Sequence, residues 1–452
     1  IAAGLGERIM IPTVGIVNLI AEGFEFLRGV VSNVQLRNLM MIATAVVLQS
    51  QLNLSAISRG WLHKRSVNAF SWCLSHAKIE VDELAHAYAK MLQQSYQLAG
   101  GRFIIDDTLE HHSKLCRFIH GVAKHFDHVF DTTLSAKCLV FLYYAEGALI
   151  KFPLGWRIYY KDGEKTKNEL AIELIDEALG RGFRCQVVLA DSWFCVEPFL
   201  RALRHRGLRY VVELKRSATV RIPIPRTPQL KRRGRPRKKW YTTVNITEYM
   251  SQESSSRVIG FRGDLENGRE EQSLYEVTER IGVPNALPWK HKIVLSRDPK
   301  KQTAKYLITN ELSWEALKVV TEYFRRWTIE EFFRNAKQQL NMEGACVRSE
   351  QGVALTLFLL TCIDSLFHRT IAERVSGDSH AEPITVQSVV RLAVVENAER
   401  FVKVVRSPDG RQFLDRWIEQ LHREAIRNRK VNSEVDYLEE TLESCEELSD
   451  VA

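Results

Sequence analysis

Tyr323, Arg326, Glu330 and Lys337 lie in the stretch YFRRWTIEEFFRNAK, at offsets of zero, three, seven and fourteen. On a helix turning about 100° per residue, all four project within an arc of roughly 60°. The spacing sets one carboxylate in a stripe with two cations and a hydroxyl, while Ile329, Phe332, Phe333 and Ala336 mark the opposite, core-facing side. Upstream, two apolar runs end in acids: Asp106 and Asp107 in FIIDDT, and Asp191 in VVLADSW. Carboxylates gathered from three distant segments repel one another unless a cation shares the site. Hard divalent ions suit them, and Mg2+ keeps open positions for water and phosphate oxygens. Two such ions about 4 Å apart activate a nucleophile and stabilise the leaving oxygen of an in-line phosphoryl displacement. Arg326 is built to grip a phosphate through two parallel hydrogen bonds, Lys337 to act as a point charge, and Tyr323 to donate its hydroxyl. The chemistry is phosphodiester hydrolysis or transesterification.

Such a site needs strands that end together and a helix that crosses them. Residues 1–100 carry helical periodicity in LRNLMMIATAVVLQSQL and VDELAHAYAKMLQQSYQL, closed by Gly100 and Gly101. From Arg102 the grammar becomes that of strands: RFII, then two longer strands about a Glu-Gly turn at 146 and 147, a helix in NELAIELIDEALGRG, a doubly buried strand at 186–190, another helix, and LRYVVEL. This order predicts an α/β layered core with a mixed sheet over 101–215. Residues 216–311 read as a β-rich insertion of short strands, and 312–375 return to helices that complete the core. A helical C-terminal region follows over 376–432, then an acidic tail over 433–452.

Composition bounds the partners. The chain of 452 residues is 45% hydrophobic and 26% charged, an ordinary globular balance. Lys and Arg number 63 against 55 acids, and the last twenty residues hold eight acids and no base, which leaves 63 against 47 in the rest. That surplus favours a polyanion. Eight scattered cysteines without a C-x-x-C pair point away from a disulfide framework and toward a reducing, cytoplasmic setting. The most apolar run, ALTLFLLTCIDSLF, carries Asp364 and reads as a buried helix, so no membrane role is expected. The first thirty residues, which open at Ile1 and contain Glu7, Arg8, Glu22 and Glu25, show no evident secretory signal.

The Y-(2)-R-(3)-E-(6)-K spacing of Tyr323, Arg326, Glu330 and Lys337, with W-x-I-E-E-F beside it, resembles the signature of bacterial cut-and-paste DDE transposases of the insertion-sequence-four-like superfamily. IIDDT looks like the branch resembling insertion sequence 701. The resemblance spans about residues 100–375. It implies an RNase H-like catalytic core with a β-rich insertion between the second Asp and the Glu, and a triad of Asp106 or Asp107, Asp191 and Glu330. Asp106, followed one residue later by Thr108, fits the first position better, although an acid preceding the catalytic one in some members would favour Asp107. The family implies two Mg2+ ions, replaceable by Mn2+, on Asp106, Asp191 and Glu330. It further implies cleavage at transposon ends, 3′-hydroxyl strand transfer into target DNA, and a homodimer pairing the terminal inverted repeats in a synaptic complex. A domesticated endonuclease and a catalytically silent DNA-binding regulator are the alternatives.

Three other features bear on DNA. RRGRPRKK from Arg232 resembles an AT-hook, with Arg233 and Arg235 placed to lie along a narrow minor groove; a solvated basic linker is the plainer reading. NLSAISRGWLHKRSVNAFSWCL has the outline of a helix-turn-helix whose second helix opens at Arg65, and an αα-hairpin packing core gives the same pattern. Trp240 and Trp289 have the chemistry to stack on a base, against the commoner role of core packing. His111, His112, His120, His125 and His128 match no zinc ligand spacing, and read as solvated or phosphate-facing.

Overall fold

The computed structural model describes residues 11–63, 65–113, 118–224, 241–252, 257–264, 270–298, 300, 303–377, 384–419 and 421–422. The AT-hook-like segment with Arg233 and Arg235, Trp240 and the acidic tail lie outside them.

Five helices come first: α1 (Asn18–Gly23), α2 (Asn33–Gln49), α3 (Leu54–Gly60), α4 (Val67–Ser75) and α5 (Val81–Ser95). A capping box starts α2, with Ser32 Oγ accepting from the Gln35 amide and Gln35 Oε1 from the Ser32 amide. Next come β1 (Gly101–His111), β2 (Ala123–Asp127), β3 (Thr132–Glu146), β4 (Ile150–Tyr159), α6 (Lys167–Gly180), β5 (Cys185–Ala190), α7 (Glu197–His205) and β6 (Tyr210–Leu214). Gly100 has φ +129°, and a Cβ on Gly101 would lie 2.6 Å from the Tyr144 ring. Only glycine lets β1 start this close to β3.

β1 runs antiparallel to β3 and parallel to β5, and β5 is parallel to β6. The resulting order β4-β3-β1-β5-β6, with α6 and α7 as crossovers, is the mixed α/β sheet of an RNase H-like core.

The remaining strands are β7 (Thr219–Pro223), β8 (Tyr241–Asn245), β9 (Arg257–Asp264), β10 (Glu270–Pro284), β11 (His291–Asp298) and β12 (Thr303–Thr309), with α8 (Ile246–Ser251) among them. Two details differ from the sequence reading. YTTVNITEY divides into β8 and α8, because Asn245 Oδ1 accepts from the Thr247 amide and caps a helix there. In addition β12 pairs antiparallel with β6, from Tyr306↔Leu214 to Thr309↔Val211, so the β-rich segment continues the core sheet.

Then come α9 (Ala316–Phe324), α10 (Trp327–Gln338), α11 (Glu350–Gly377) and α12 (Val386–Val405). The single helix expected across 323–337 is in fact two. Amides of Arg325, Arg326, Thr328 and Ile329 bond three residues back instead of four. This tighter winding separates α9 from α10, and it keeps the Tyr323 ring beside Arg326, 5.8 Å from its guanidinium carbon. α11 is buried from Leu355 to His368 and packs on α2, α4, α5 and α12. It is long and apolar enough to cross a membrane, yet 89% of its apolar window is buried inside the protein, as the Asp364-bearing run suggested.

Candidate active site

β5 ends at Ala190 opposite Ile105, so Asp191 leaves the sheet beside Asp106 on the neighbouring strand. The Asp191 carboxylate caps a 3-10 turn, Ser192–Phe194, by accepting from the Trp193 amide at 3.0 Å. α10 packs over β1, anchored by Ile329, Phe332, Phe333 and Ala336, all four buried as the apolar periodicity requires. Phe332 and Phe333 meet the ring of Phe141, the residue across from Asp106 on β3. This packing fixes the polar side of α10 above the acids.

Arg326 is the centre of the arrangement. Its Nη1 donates to Asp106 Oδ2 at 2.6 Å and its Nη2 to Glu330 Oε1 at 3.0 Å, so one guanidinium spans two carboxylates. Burial pushes the Asp106 carboxyl up to about 8; Arg326 opposes this, and Asp191, Glu330 and Asp107 add to it. Burial also raises Asp191, with Asp107 acting in the same direction and the Trp193 amide and Arg326 against it. Asp106 therefore feels the charge of both Asp191 and Glu330.

Asp107 lies on the other face of β1, as the two-residue period of a strand demands. Its Oδ2 accepts from Lys167 Nζ at 2.7 Å. Lys167 is placed there by the Thr166–Glu169 capping box, which starts α6 one residue earlier. Lys337 donates to the Leu109 carbonyl at 2.7 Å and stands 3.5 Å from Glu343, three residues further along β1 than Asp106. Tyr323 does not turn its hydroxyl to the acids: it donates to Glu213 on β6, which also holds Lys305 at 2.8 Å. Beside Arg326 and Tyr323, Tyr275, Phe324, Lys305 and Trp327 line a hollow of about 250 Å³. Roomier hollows of about 530 and 580 Å³ lie elsewhere and touch none of the acids of the site.

The remaining expectations fall away from this centre. Arg65 precedes α4 with its Nε buried and its carbonyl accepting from Ser58; α4 buries Phe70, Cys73 and Leu74 in the helical core, packing that a helix-turn-helix and an αα-hairpin share. Trp289 donates to the Tyr210 hydroxyl at 3.0 Å and lies under Arg204. His111 sits between Asp127 at 2.6 Å and Glu343 at 3.0 Å, and His120 meets Tyr160, so these two are bonded within the fold and not free for phosphate. Burial lowers His125, which the nearby Lys167 reinforces.

Among the described residues no three His, Cys, Asp or Glu side chains form a ready metal cage. The donor set nonetheless fits a hard cation. Its members are all carboxylates, their mutual repulsion helps to raise Asp106, and Arg326 now stands as the counter-charge between two of them. Sequence reasoning missed Lys167, Glu213, Glu343 and Trp193. Of these only Lys167 had a local signal, the capping box TKNE directly ahead of an apolar helix.

The chain matches two family models: DDE superfamily endonuclease over residues 34–256, and Transposase DDE domain over residues 152–363. The first span contains Asp106, Asp107 and Asp191, and the second contains Asp191 and Glu330. No curated protein matches the chain. Taken with the RNase H-like sheet, the two matches make the chain similar to DDE endonucleases and transposases and support a transposase-type nuclease.

Proposed function

We propose that the protein is a cut-and-paste DNA transposase of the insertion-sequence-four-like type, cleaving transposon ends and joining the freed 3′-hydroxyls to target DNA. The observation that carries this reading is the Arg326 bridge between Asp106 and Glu330, set beside Asp191. A binding-only protein has no use for three acids gathered from separate elements into one place.

Asp106, Asp191 and Glu330 are the residues that would hold divalent ions, Mg2+ or Mn2+. When bound, such ions supply an activated oxygen nucleophile and neutralise charge developing on the leaving oxygen. The chain's own residues do the rest. Arg326 supplies a planar donor pair that can pass from carboxylates to a phosphate, because both have the same two-oxygen geometry. Lys337 places a positive charge further along β1, and Lys167 keeps Asp107 neutralised on the far face. A homodimer that pairs the two inverted repeats, and phosphate or groove contacts by Tyr323, Arg65, Arg233 and Arg235, belong to the same reading.

The test uses purified protein, Mg2+ or Mn2+, and DNA carrying the element's flanking repeats, comparing wild type with Asp191→Ala and Glu330→Gln. Cuts at the repeat boundary and strand-transfer products in wild type alone support the reading. Tight binding with no cutting by any of the three proteins moves the assignment to a DNA-binding regulator.

A further inference from the structure

The three tetrad groups expected to grip phosphate are all engaged inside the protein: Arg326 with Asp106 and Glu330, Lys337 with the Leu109 carbonyl, and Tyr323 with Glu213. Open binding capacity lies on the other flank of the acids. Trp193, two residues after Asp191, leaves 49% of its surface in solvent. The ammonium of Lys167 lies 5.0 Å from its ring centroid, and that of the exposed Lys215 lies 5.8 Å away. Trp193 follows the carboxyl end of β5, Lys215 follows that of β6, and Lys167 opens α6, so three separate elements converge where open α/β sheets bind ligands.

We infer that Trp193 and Lys215, with the Asp107-bound Lys167 beside the indole, form a subsite for an unpaired stretch of DNA strand, the indole stacking on a base and Lys215 meeting a phosphate. This rests on the DNA-processing reading above and adds a place where the strand is held. An aromatic face flanked by cations suits single-stranded nucleic acid, since every base has a π-face and every linkage a charge. The subsite is also tied to the acids. The Trp193 amide donates to Asp191, and Lys167 donates to Asp107, so a strand seated on the indole lies against both. Duplex ends, whose bases are already stacked on one another, gain less from the indole.

The experiment is fluorescence anisotropy of labelled oligothymidine, and of a blunt duplex of equal length, with the full chain in metal-free buffer. Trp193→Ala is expected to weaken oligothymidine binding about 5- to 150-fold, Trp193→Phe to recover most of that, and the duplex to be affected far less. Lys215→Gln alters an exposed side chain and is expected to reduce the slope of log affinity against log salt by about 0.7. Oligothymidine affinity unchanged in Trp193→Ala, with wild type binding well, overturns the subsite and leaves the transposase reading standing. Failure of wild type to bind either DNA overturns both.

Discussion

Lys167 Nζ stands 2.7 Å from Asp107 Oδ2, on the face of β1 opposite the one where Asp106 meets Arg326. Adjacent acids on one strand are thereby given different partners. Asp106 faces Glu330 across a shared guanidinium, and Asp107 faces a lysine that neutralises it.

This division predicts unequal roles. Asp106→Asn is expected to reduce metal-dependent strand cleavage by at least about 100-fold with DNA binding within about threefold, an interaction made only in the transition state. Asp107→Asn is expected to cost about tenfold, through release of Lys167. Single-turnover cleavage rates decide it, and the opposite ranking would exchange the two residues.

The raised Asp106 carboxyl sets a pH signature for the metal-free protein. Its folded value of about 8 lies above its ordinary 3.8. Between roughly 4 and 8 the folded chain therefore binds more protons than the unfolded one, and stability falls as pH rises. The contribution is complete below about 4 and gone above about 8. Melting curves from pH 5 to 9 should show Asp106→Asn gaining on wild type as pH rises. Added Mg2+ should stabilise wild type more at pH 8 than at pH 6, because the proton and the metal compete for one carboxylate.

Arg326→Lys keeps the charge and loses the fork, so one ammonium can no longer span Asp106 and Glu330. Cleavage is expected to drop about 10- to 100-fold with Mg2+ saturating. A rate equal to wild type would mean that charge alone suffices.

Away from the chemistry, Arg102 at the start of β1 donates to Glu322 of α9 through Nε at 2.5 Å and Nη2 at 3.0 Å, with both side chains largely buried. Removing one partner strands the other. Glu322→Ala is expected to destabilise by about 3 kcal/mol, read by urea titration, and the Arg102→Met, Glu322→Leu pair to recover much of the loss.

Much of this was legible in the residues. Apolar runs marked β1, β3, β4 and β5 and put Asp106 and Asp191 at strand ends, which holds for Asp191 while β1 continues past Asp106 to His111, and the apolar spacing 329, 332, 333, 336 gave the buried side of α10 correctly. The division of α9 from α10 was not legible, because winding by three instead of four leaves no mark in the spacing of side chains. Glu213 and Glu343 were equally hidden. Glu213 reaches across the fold to Tyr323 and Glu343 to His111, and pairings so far apart in the chain are set by topology.

The pairing of β12 with β6 has a consequence for any shortened version of the chain. In the bare order β4-β3-β1-β5-β6, the backbone groups on the outer side of β6 would stand open to any passing strand. Here that side is stitched shut by the protein's own later segment. The excursion from β7 to β12 thus acts as a built-in guard rail against self-association, and cutting it away to leave a minimal nuclease would invite fibrils before it yielded an enzyme.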